Sequence, residues 1–274
     1  MHGAAAPPHG PPDGAGLSGR AGAPPAGPGA AGARGRGWHA AAAGGGGRGG
    51  PRRGAPPERV TGAADDLALA HPAGELDMEA GLAVLTGDLP AGAPPARALE
   101  SVRLLLLAGD AVLRALEAAE AAEAATCAGA AGTVLARLGT HCSPVAVTPD
   151  ELGAAWQGGR VQLPLAMARG GRAVGPMTLA EGRFHVGQLL AQAARTRALG
   201  AGTLVFCGPA GASDTAGGAA SLADQRAAET LADGQARTTW LQPGDRLRVE
   251  AKGADGRSVW GAIDFTVVAA EADA

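Results

Sequence analysis

Apolar residues recur through residues 96–125 at the three- and four-residue intervals that place side chains on one face of an α-helix. The positions are Leu99, Val102, Leu106, Val112, Leu113 and Leu116. This segment is therefore predicted to be the longest helix of the protein. A second apolar stripe predicts a helix over residues 184–199, which Gly200 would end, and a short helix is predicted to begin near Thr148.

Short apolar segments bounded by turn residues predict strands in the rest of the chain. They cover residues 160–167, 172–177, 203–207, 245–251 and 258–268. The last two flank Asp255 and Gly256, a dipeptide typical of tight hairpin turns. The pattern as a whole predicts an α+β fold that is rich in strands and has a few helices.

The first 60 residues differ from the remainder because few of their apolar side chains are larger than alanine. Glycine, alanine and proline account for 43 of them. Such a composition buries too little apolar surface to offset the entropy lost on folding. Residues 1–61 are therefore predicted to be a disordered leader, and residues 62–270 a single globular domain.

Charge and aromatic content argue against a nucleic-acid partner. The net charge is −3, but residues 1–60 carry seven arginines against Asp13 and Glu58, so the leader is basic. Its Arg-Gly pairs are typical of RNA-binding segments, yet stacking on bases needs aromatic side chains. The whole chain has three Phe and no Tyr, and Trp38 is the one Trp, Tyr or Phe of the leader.

The cysteines and the apolar runs predict a cytoplasmic protein. Cys127, Cys142 and Cys207 are an odd number without a close pair, which favours free thiols in a reducing compartment over disulfides or a zinc site. The longest strongly apolar run, residues 104–108, is far shorter than the roughly 20 residues that span a bilayer. No membrane association is expected.

Five longer segments carry family motifs. They are LDMEAGLAVLTGDLP (76–90), LLLLAGDAVLR (104–114), SPVAVTPDELGAAWQGGRVQLPL (143–165), FHVGQLLAQAARTRALGAGTL (184–204) and PGDRLRVEAKGADGRSVWGAID (243–264). The chain resembles the fumarylacetoacetate hydrolase family from about Gly62 to Val268, and the matching segments follow one another in the family's order. The resemblance is greatest to its bacterial fumarylacetoacetase-like members.

The resemblance implies a mixed β-roll and a homodimer. It also implies a metal-dependent hydrolase that cleaves a carbon–carbon bond in a small diketo acid such as fumarylacetoacetate, a reaction of aromatic amino acid catabolism. Relatives in the family also include hydratases, decarboxylases and isomerases. The family resemblance therefore implies a class of substrate and leaves the individual compound open.

A divalent cation, Mg²⁺, Ca²⁺ or Mn²⁺, is part of what the resemblance implies. The family holds it with an Asp, a Glu-x-Glu pair and a further Asp. Here Glu79 matches the first Glu of the pair and Asp110 matches the later Asp, while Gly81 replaces the second Glu. Hard cations prefer oxygen ligands, and alternate residues of a strand share one face. Glu79 and Asp110 are thus the implied metal ligands, and Gly81 implies weakened binding.

The resemblance also implies the residues that handle the substrate. Arg114 follows the later Asp by four residues, which is one turn of the predicted helix, and Arg137 replaces a family lysine. Together with Thr140, these arginines are expected to bind the acid group of the substrate. Asp224 stands at the position of a catalytic Glu and is the implied catalytic residue.

Two hypotheses for the function remain open at this point. The first is an active, metal-dependent hydrolase of diketo acids. The second is a catalytically inactive member that serves as a binding protein or is a gene remnant. The second hypothesis rests on the water-activating His and the first metal-binding Asp of the family, which have no counterpart in residues 49–62 (GGPRRGAPPERVTG).

Overall fold

The computed structural model describes residues 39–41, 60–70, 75–126, 135–175, 177–182, 184–212, 219 and 221–270. Of the predicted leader, residues 1–61, it describes 39–41 and 60–61, and both pieces are strands. The rest of that segment lies outside the described residues. The division of the chain at residue 61 therefore stays a prediction.

Strands make up most of the regular structure of the described residues. In chain order they are β1 (His39–Ala41), β2 (Val60–Thr61), β3 (Leu67–Leu69), β4 (Leu76–Thr86), β5 (Val102–Leu113), β6 (Arg137–Cys142), β7 (Trp156–Gln157), β8 (Arg160–Val161), β9 (Pro164–Arg169), β10 (Arg172–Ala173), β11 (Met177–Thr178), β12 (Leu204–Pro209), β13 (Gly211–Ala212), β14 (Arg246–Lys252) and β15 (Ser258–Ala269). The helices are α1 (Pro95–Glu100), α2 (Arg114–Thr126), α3 (Val186–Ala193) and α4 (Leu222–Asp233), with a 3₁₀ helix at Gly153–Ala155. The predicted strand-rich α+β fold with a few helices is confirmed.

The strands form two large mixed sheets and one small one. The first sheet has the order β1-β12-β4-β5-β6-β2, in which only the pair of β2 and β6 is parallel. The second has the order β13-β11-β9-β14-β15-β3, with β10 paired to β9, and its parallel pair is β3 with β15. A separate two-stranded sheet consists of β7 and β8. The first sheet carries the residues of the candidate site.

Several local predictions agree with the structure. β14 and β15 form the predicted C-terminal hairpin around Gly256, whose positive φ of 76° suits glycine. The predicted helix at 184–199 forms over Val186–Ala193, and the Gln188 side chain accepts a hydrogen bond from the His185 N–H at 3.0 Å. The predicted helix near Thr148 is reduced to turns and the 3₁₀ helix.

The predicted helix over residues 96–125 is wrong for its central part. α1 ends at Glu100, residues 102–113 form β5, and the chain returns to a helix only at Arg114. β5 lies between β4 and β6, and both of its faces are largely buried. A central strand of this kind is apolar at most positions and lacks alternation, so its pattern also fits a helical spacing.

The apolar core lies between the two large sheets, where β15 contacts β5 and β6. The indole N–H of Trp260 donates to the carbonyl oxygen of Leu105 at 2.9 Å. The His141 ring stacks on Phe265 with 4.1 Å between ring centroids, and its Nε2 lies 2.9 Å from the carbonyl oxygen of Asp65. His141 is fully buried in this core. It therefore contributes to packing of the two sheets.

A buried cluster of carboxylates and arginines

Glu79, Asp110 and Thr140 form one row across three neighbouring strands of the first sheet. Glu79 of β4 pairs with Asp110 of β5, and Asp110 pairs with Thr140 of β6. Paired residues of antiparallel strands project from the same face. Because His141 faces the second sheet, this row projects from the opposite face. All three side chains are buried, so the tertiary fold brings these predicted site residues together.

Arg137 bridges the two carboxylates of the row. Its Nη1 donates to Oδ2 of Asp110 at 2.9 Å and to Oε2 of Glu79 at 3.2 Å. Thr140 donates its hydroxyl proton to Oδ1 of Asp110 at 2.5 Å. Nη2 of Arg137 reaches Oε1 of Glu117 at 3.4 Å, while no described residue accepts a hydrogen bond from its buried Nε. Arg137 and Thr140 therefore bind the predicted metal ligands directly.

Arg114 occupies the junction between β5 and α2. Its Nη1 donates to Oε1 of Glu79 at 2.8 Å and to Oε2 of Glu117 at 2.7 Å. Its Nε and Nη2 both donate to Oδ2 of Asp77, at 2.9 and 2.7 Å. The prediction that Arg114 follows Asp110 by one helical turn is wrong, because Asp110 lies in a strand and the helix begins at Arg114.

Asp77 belongs to the same cluster, although the family pattern did not single it out. It is fully buried, and its carboxylate accepts the backbone N–H groups of Leu222 and Ala223 at 2.8 and 3.1 Å. These are the first residues of α4, where unpaired N–H groups and the helix dipole favour a negative charge. Its position two residues before Glu79 on β4 is the sequence signal that could have identified it.

Asp224 lies in the first turn of α4, beside the same region. Its backbone N–H donates to Oγ of Ser221 at 3.2 Å, which caps the helix. It follows Ala223, whose N–H contacts Asp77, and it is half-buried. The predicted catalytic acid therefore directly follows a residue whose backbone N–H contacts the cluster.

Burial dominates the electrostatics of the cluster. Burial raises the pKa of Asp110 to about 6, although Thr140 and Arg137 oppose this effect. Burial likewise raises the pKa of Asp77 in spite of its contact with Arg114. Burial lowers the pKa of Arg114, but the neighbouring carboxylates, Asp77 first, raise it above the ordinary value for arginine. The cluster is thus a desolvated charge network.

Gly81 is held next to the backbone of β12. β12 has a β-bulge between Phe206 and Pro209. This bulge brings the carbonyl oxygen of Gly208 so close to Gly81 that a Cβ atom on residue 81 would overlap with it. A side chain at residue 81 would therefore displace the backbone of β12. The second Glu of the family pair is absent from the sequence and also has no room in this fold.

The donor set partly matches a divalent cation. Asp77, Glu79, Asp110 and Glu117 carry four negative charges against the two positive charges of Arg114 and Arg137, which leaves a formal charge of −2. Carboxylates also have the right ligand chemistry, and Mg²⁺ often uses only one or two of them together with water and substrate oxygens. Among the described residues, no group of three or more His, Cys, Asp or Glu side chains could hold a metal ion. Glu79 and Asp110 bring two carboxylates together here, and Arg114 and Arg137 supply the positive charge beside them.

A small cavity lies beside Gly208. Its volume is about 50 Å³, and its lining includes Leu82, Arg160, Glu181, Phe184 and Cys207. That volume accommodates roughly one or two water molecules. None of the predicted metal or substrate residues lines it.

The described cysteines are free thiols with no sign of activation. Burial raises the pKa of Cys207 to about 12, and burial together with Asp110 raises that of Cys142 to about 11. Both thiols are thus protonated at neutral pH. Cys127 lies outside the described residues.

Among the helices that the structure describes, none combines the length and apolar character needed to cross a membrane.

Comparison with known proteins identifies the family. The family model for the C-terminal domain of fumarylacetoacetate (FAA) hydrolase matches residues 54–268. The chain belongs to the fumarylacetoacetate hydrolase family. A comparison with curated protein sequences finds no match.

Solved structures of the family share the fold. Fumarylpyruvate hydrolase from Pseudomonas aeruginosa, in complex with Mn²⁺ and pyruvate, is 17% identical with a TM-score of 0.54, over 77% of this chain and 75% of that one. Fumarylacetoacetate hydrolase from Exiguobacterium antarcticum is 19% identical with a TM-score of 0.53, over 77% and 63%. The 5-carboxymethyl-2-hydroxymuconate delta-isomerase from Mycobacterium smegmatis is 15% identical with a TM-score of 0.52, over 78% and 66%. The predicted β-roll of this family is confirmed.

Proposed function

We propose that this family member is a hydrolase that uses a divalent cation to cleave a carbon–carbon bond in a fumarylacetoacetate-like diketo acid. The observation that carries the proposal is the pairing of Glu79 with Asp110 on adjacent strands, at the two positions where the family resemblance implies metal ligands. The Mn²⁺ and pyruvate in the related fumarylpyruvate hydrolase support a cation and a small oxo acid. Aromatic amino acid catabolism is the proposed setting.

Each residue of the cluster has a proposed role. Glu79 and Asp110 would hold Mg²⁺, Ca²⁺ or Mn²⁺, and the bound cation would polarise the oxo groups of the substrate as a Lewis acid. Arg114, Arg137 and Thr140 would orient the acid group. The Nε–H of Arg137 is buried and meets no acceptor among the described residues, so it would be available to a substrate oxygen.

Asp224 is the proposed proton acceptor. It lies in the first turn of α4 and follows Ala223, whose backbone N–H contacts Asp77 of the cluster. Asp224 would take a proton from the attacking water in place of the catalytic Glu that the resemblance implies. Without the family's water-activating His, turnover is expected to be slow.

The test is the metal-dependent loss of diketo-acid absorbance. The wild-type chain is expected to lose absorbance with millimolar Mg²⁺ or Mn²⁺ and to lose activity in EDTA. Glu79→Gln and Asp110→Asn should abolish the reaction, whereas Glu100→Gln, in an exposed ion pair with Arg97, should leave it unchanged. Absence of any metal-dependent loss in the wild-type chain would refute the proposal.

A second candidate function is a catalytically inactive binding protein. The observation that favours it is that protein groups already donate hydrogen bonds to the oxygens of the proposed metal ligands. Both oxygens of Glu79 and both of Asp110 accept hydrogen bonds from Arg114, Arg137 or Thr140. This candidate predicts that calorimetry detects binding of a diketo acid in EDTA, with no turnover when metal is added. Replacing Gly81 by Glu is not a useful test, because the side chain would clash with Gly208.

Assembly and location complete the proposal. We propose a homodimer in the cytoplasm, on the family resemblance and on the free state of Cys142 and Cys207. Light scattering on the full chain measures the first point, and a mass corresponding to one chain would contradict it. The proposed partner is the small acid itself, with neither nucleic acid nor membrane.

A further inference from the structure

We propose that Arg137 is an internal counter-cation that competes with the divalent cation for Glu79 and Asp110. The inference rests on the proposed function, since it concerns the cation of that site. A single nitrogen, Nη1, contacts Oε2 of Glu79 and Oδ2 of Asp110, at 3.2 and 2.9 Å. A cation that binds both oxygens needs the space between them. Guanidinium and cation therefore exclude one another at this position.

The surroundings make the guanidinium an effective competitor. Its side chain is 2% exposed, and those of Glu79 and Asp110 are 2% and 1% exposed. Unpaired charges at this depth would be costly, so the carboxylates need a positive partner at all times. Arg137 supplies that partner without metal. The protein is consequently expected to fold and remain stable in the absence of a cation.

The contacts of Arg137 also indicate how it could yield to a cation. Its bond to Glu117 is long, at 3.4 Å, and its buried Nε has no acceptor within the part of the chain that the structure describes. Glu117 lies in the first turn of α2 with its side chain 22% exposed. Rotation of Arg137 towards Glu117 would exchange a long hydrogen bond for a close ion pair. The carboxylates of Glu79 and Asp110 would then be available to the cation.

Mn²⁺ binding to Arg137→Gln tests this competition. Calorimetry with MnCl₂ is expected to give a dissociation constant about tenfold lower than that of the wild-type chain, a change of the size that altered partners of metal ligands commonly cause. Thermal melting provides a second readout. Arg137→Gln should melt below the wild type in EDTA and recover with Mn²⁺, because a ligand that binds only the folded state stabilises it. The wild type should change little.

Arg169→Gln is the matched control. Arg169, on β9 of the second sheet, pairs with Asp245 just before β14, and its side chain is 21% exposed. It should bind Mn²⁺ as the wild type does. A control that gains affinity equally would overturn the inference, because the gain would then follow from a change of net charge alone.

The outcomes separate this inference from the proposed function. Equal Mn²⁺ affinity in wild type and Arg137→Gln overturns the competition and leaves the proposed cation site standing. No binding by either protein overturns both. If Arg137→Gln does not fold, Arg137→Met replaces it, since this unbranched side chain fills a similar space and carries no charge that could compete with the cation. Tighter binding by Arg137→Met than by wild type supports the competition, and equal or weaker binding overturns it.

Discussion

Asp77 shows how a single buried residue joins distant parts of this chain. Its carboxylate on β4 contacts Arg114 at the start of α2 and the N–H groups of Leu222 and Ala223 at the start of α4. A buried carboxylate is tolerated because charged and dipolar donors surround it. Asp77 thus fixes both helices to the sheet and positions Arg114 towards Glu79. The candidate site depends on this residue even if Asp77 never contacts a ligand.

Gly81 provides the prediction at the residue scale. Gly81→Ala is expected to lower the free energy of unfolding by about 1–3 kcal/mol, because the new Cβ would force the β12 backbone at Gly208 to move. Gly200→Ala is the control, since a Cβ at that exposed glycine meets no atom within 4 Å. Urea denaturation compares the two. Equal stability of both variants would show that the bulge in β12 moves freely.

At the scale of elements, β5 holds the site and the core together. One of its faces carries Asp110 towards the charged cluster, and the other faces the second sheet, where Gly109 pairs with the buried His141. A strand provides both faces at once because successive side chains alternate. A helix over the same residues could not place Asp110 directly opposite Glu79 and Thr140 as β5 does.

Leu106→Ala tests the packing of β5. Leu106 is 6% exposed, and its truncation should lower the free energy of unfolding by roughly 2–5 kcal/mol because it leaves a cavity. Leu231→Ala on α4 is the control, since Leu231 is 89% exposed and its loss should change stability by no more than about 0.5 kcal/mol. Chemical denaturation measures both. A small effect at Leu106 would mean that its surroundings collapse into the space.

Hydrogen bonds to Glu229, near the end of α4, are expected to make the free energy of unfolding depend on pH. Hydrogen bonds from the Thr238 side chain and backbone, with others from Arg237 and Gln225, lower the pKa of Glu229 to about 2. Because the folded-state pKa lies below the ordinary value of 4.5, the stabilisation is complete above pH 4.5 and is lost as pH falls towards 2.

Glu229→Gln measures this contribution. The variant should melt at a lower temperature than the wild type at pH 7, because a neutral amide accepts weaker hydrogen bonds than a carboxylate. The difference should narrow as pH falls from 4.5 towards 2, where the wild-type carboxylate becomes protonated. A difference that stays constant over this range would mean that shape, and not charge, is responsible.

At the scale of the whole molecule, the two large sheets form the folded unit. β1 is the first strand of this unit that the structure describes. β1 pairs with β12 at the edge of the first sheet. The preceding residues are rich in glycine, alanine and proline, a composition that offers little apolar surface for docking. Truncation ahead of β1 therefore tests whether residues 1–38 contribute to the folded unit, and the predicted boundary at residue 61 stays a prediction.

Deletion of residues 1–38 is expected to leave the melting temperature unchanged. This truncation keeps β1 and with it the backbone hydrogen bonds to β12, while removing residues with few large apolar side chains. Differential scanning calorimetry of the full and truncated chains provides the comparison. A drop of several degrees would place part of the folded domain within those residues.

The sequence alone determined the class of fold, the C-terminal hairpin, helix α3 and the family, and through the family resemblance it singled out Glu79 and Asp110 as expected metal ligands and Thr140 as an expected substrate contact. These follow from local patterns, turn chemistry and motifs that lie close together along the chain. Only the tertiary structure decided that residues 102–113 form a strand, because burial on both faces removes the alternation that distinguishes strands from helices.

The partners of the charged residues were likewise decided only in three dimensions. Asp77 contacts Leu222 across 145 positions of sequence, and Arg137 contacts Glu79 across 58. The bulge in β12 that fills the space above Gly81 also comes from a distant segment. Such contacts depend on strand register and on where helices begin relative to the sheet, and neither quantity is encoded in the spacing of residues along one segment. The physical reason is that burial and desolvation result from contacts between elements, whereas hydrophobic periodicity is a property of the sequence within a single element.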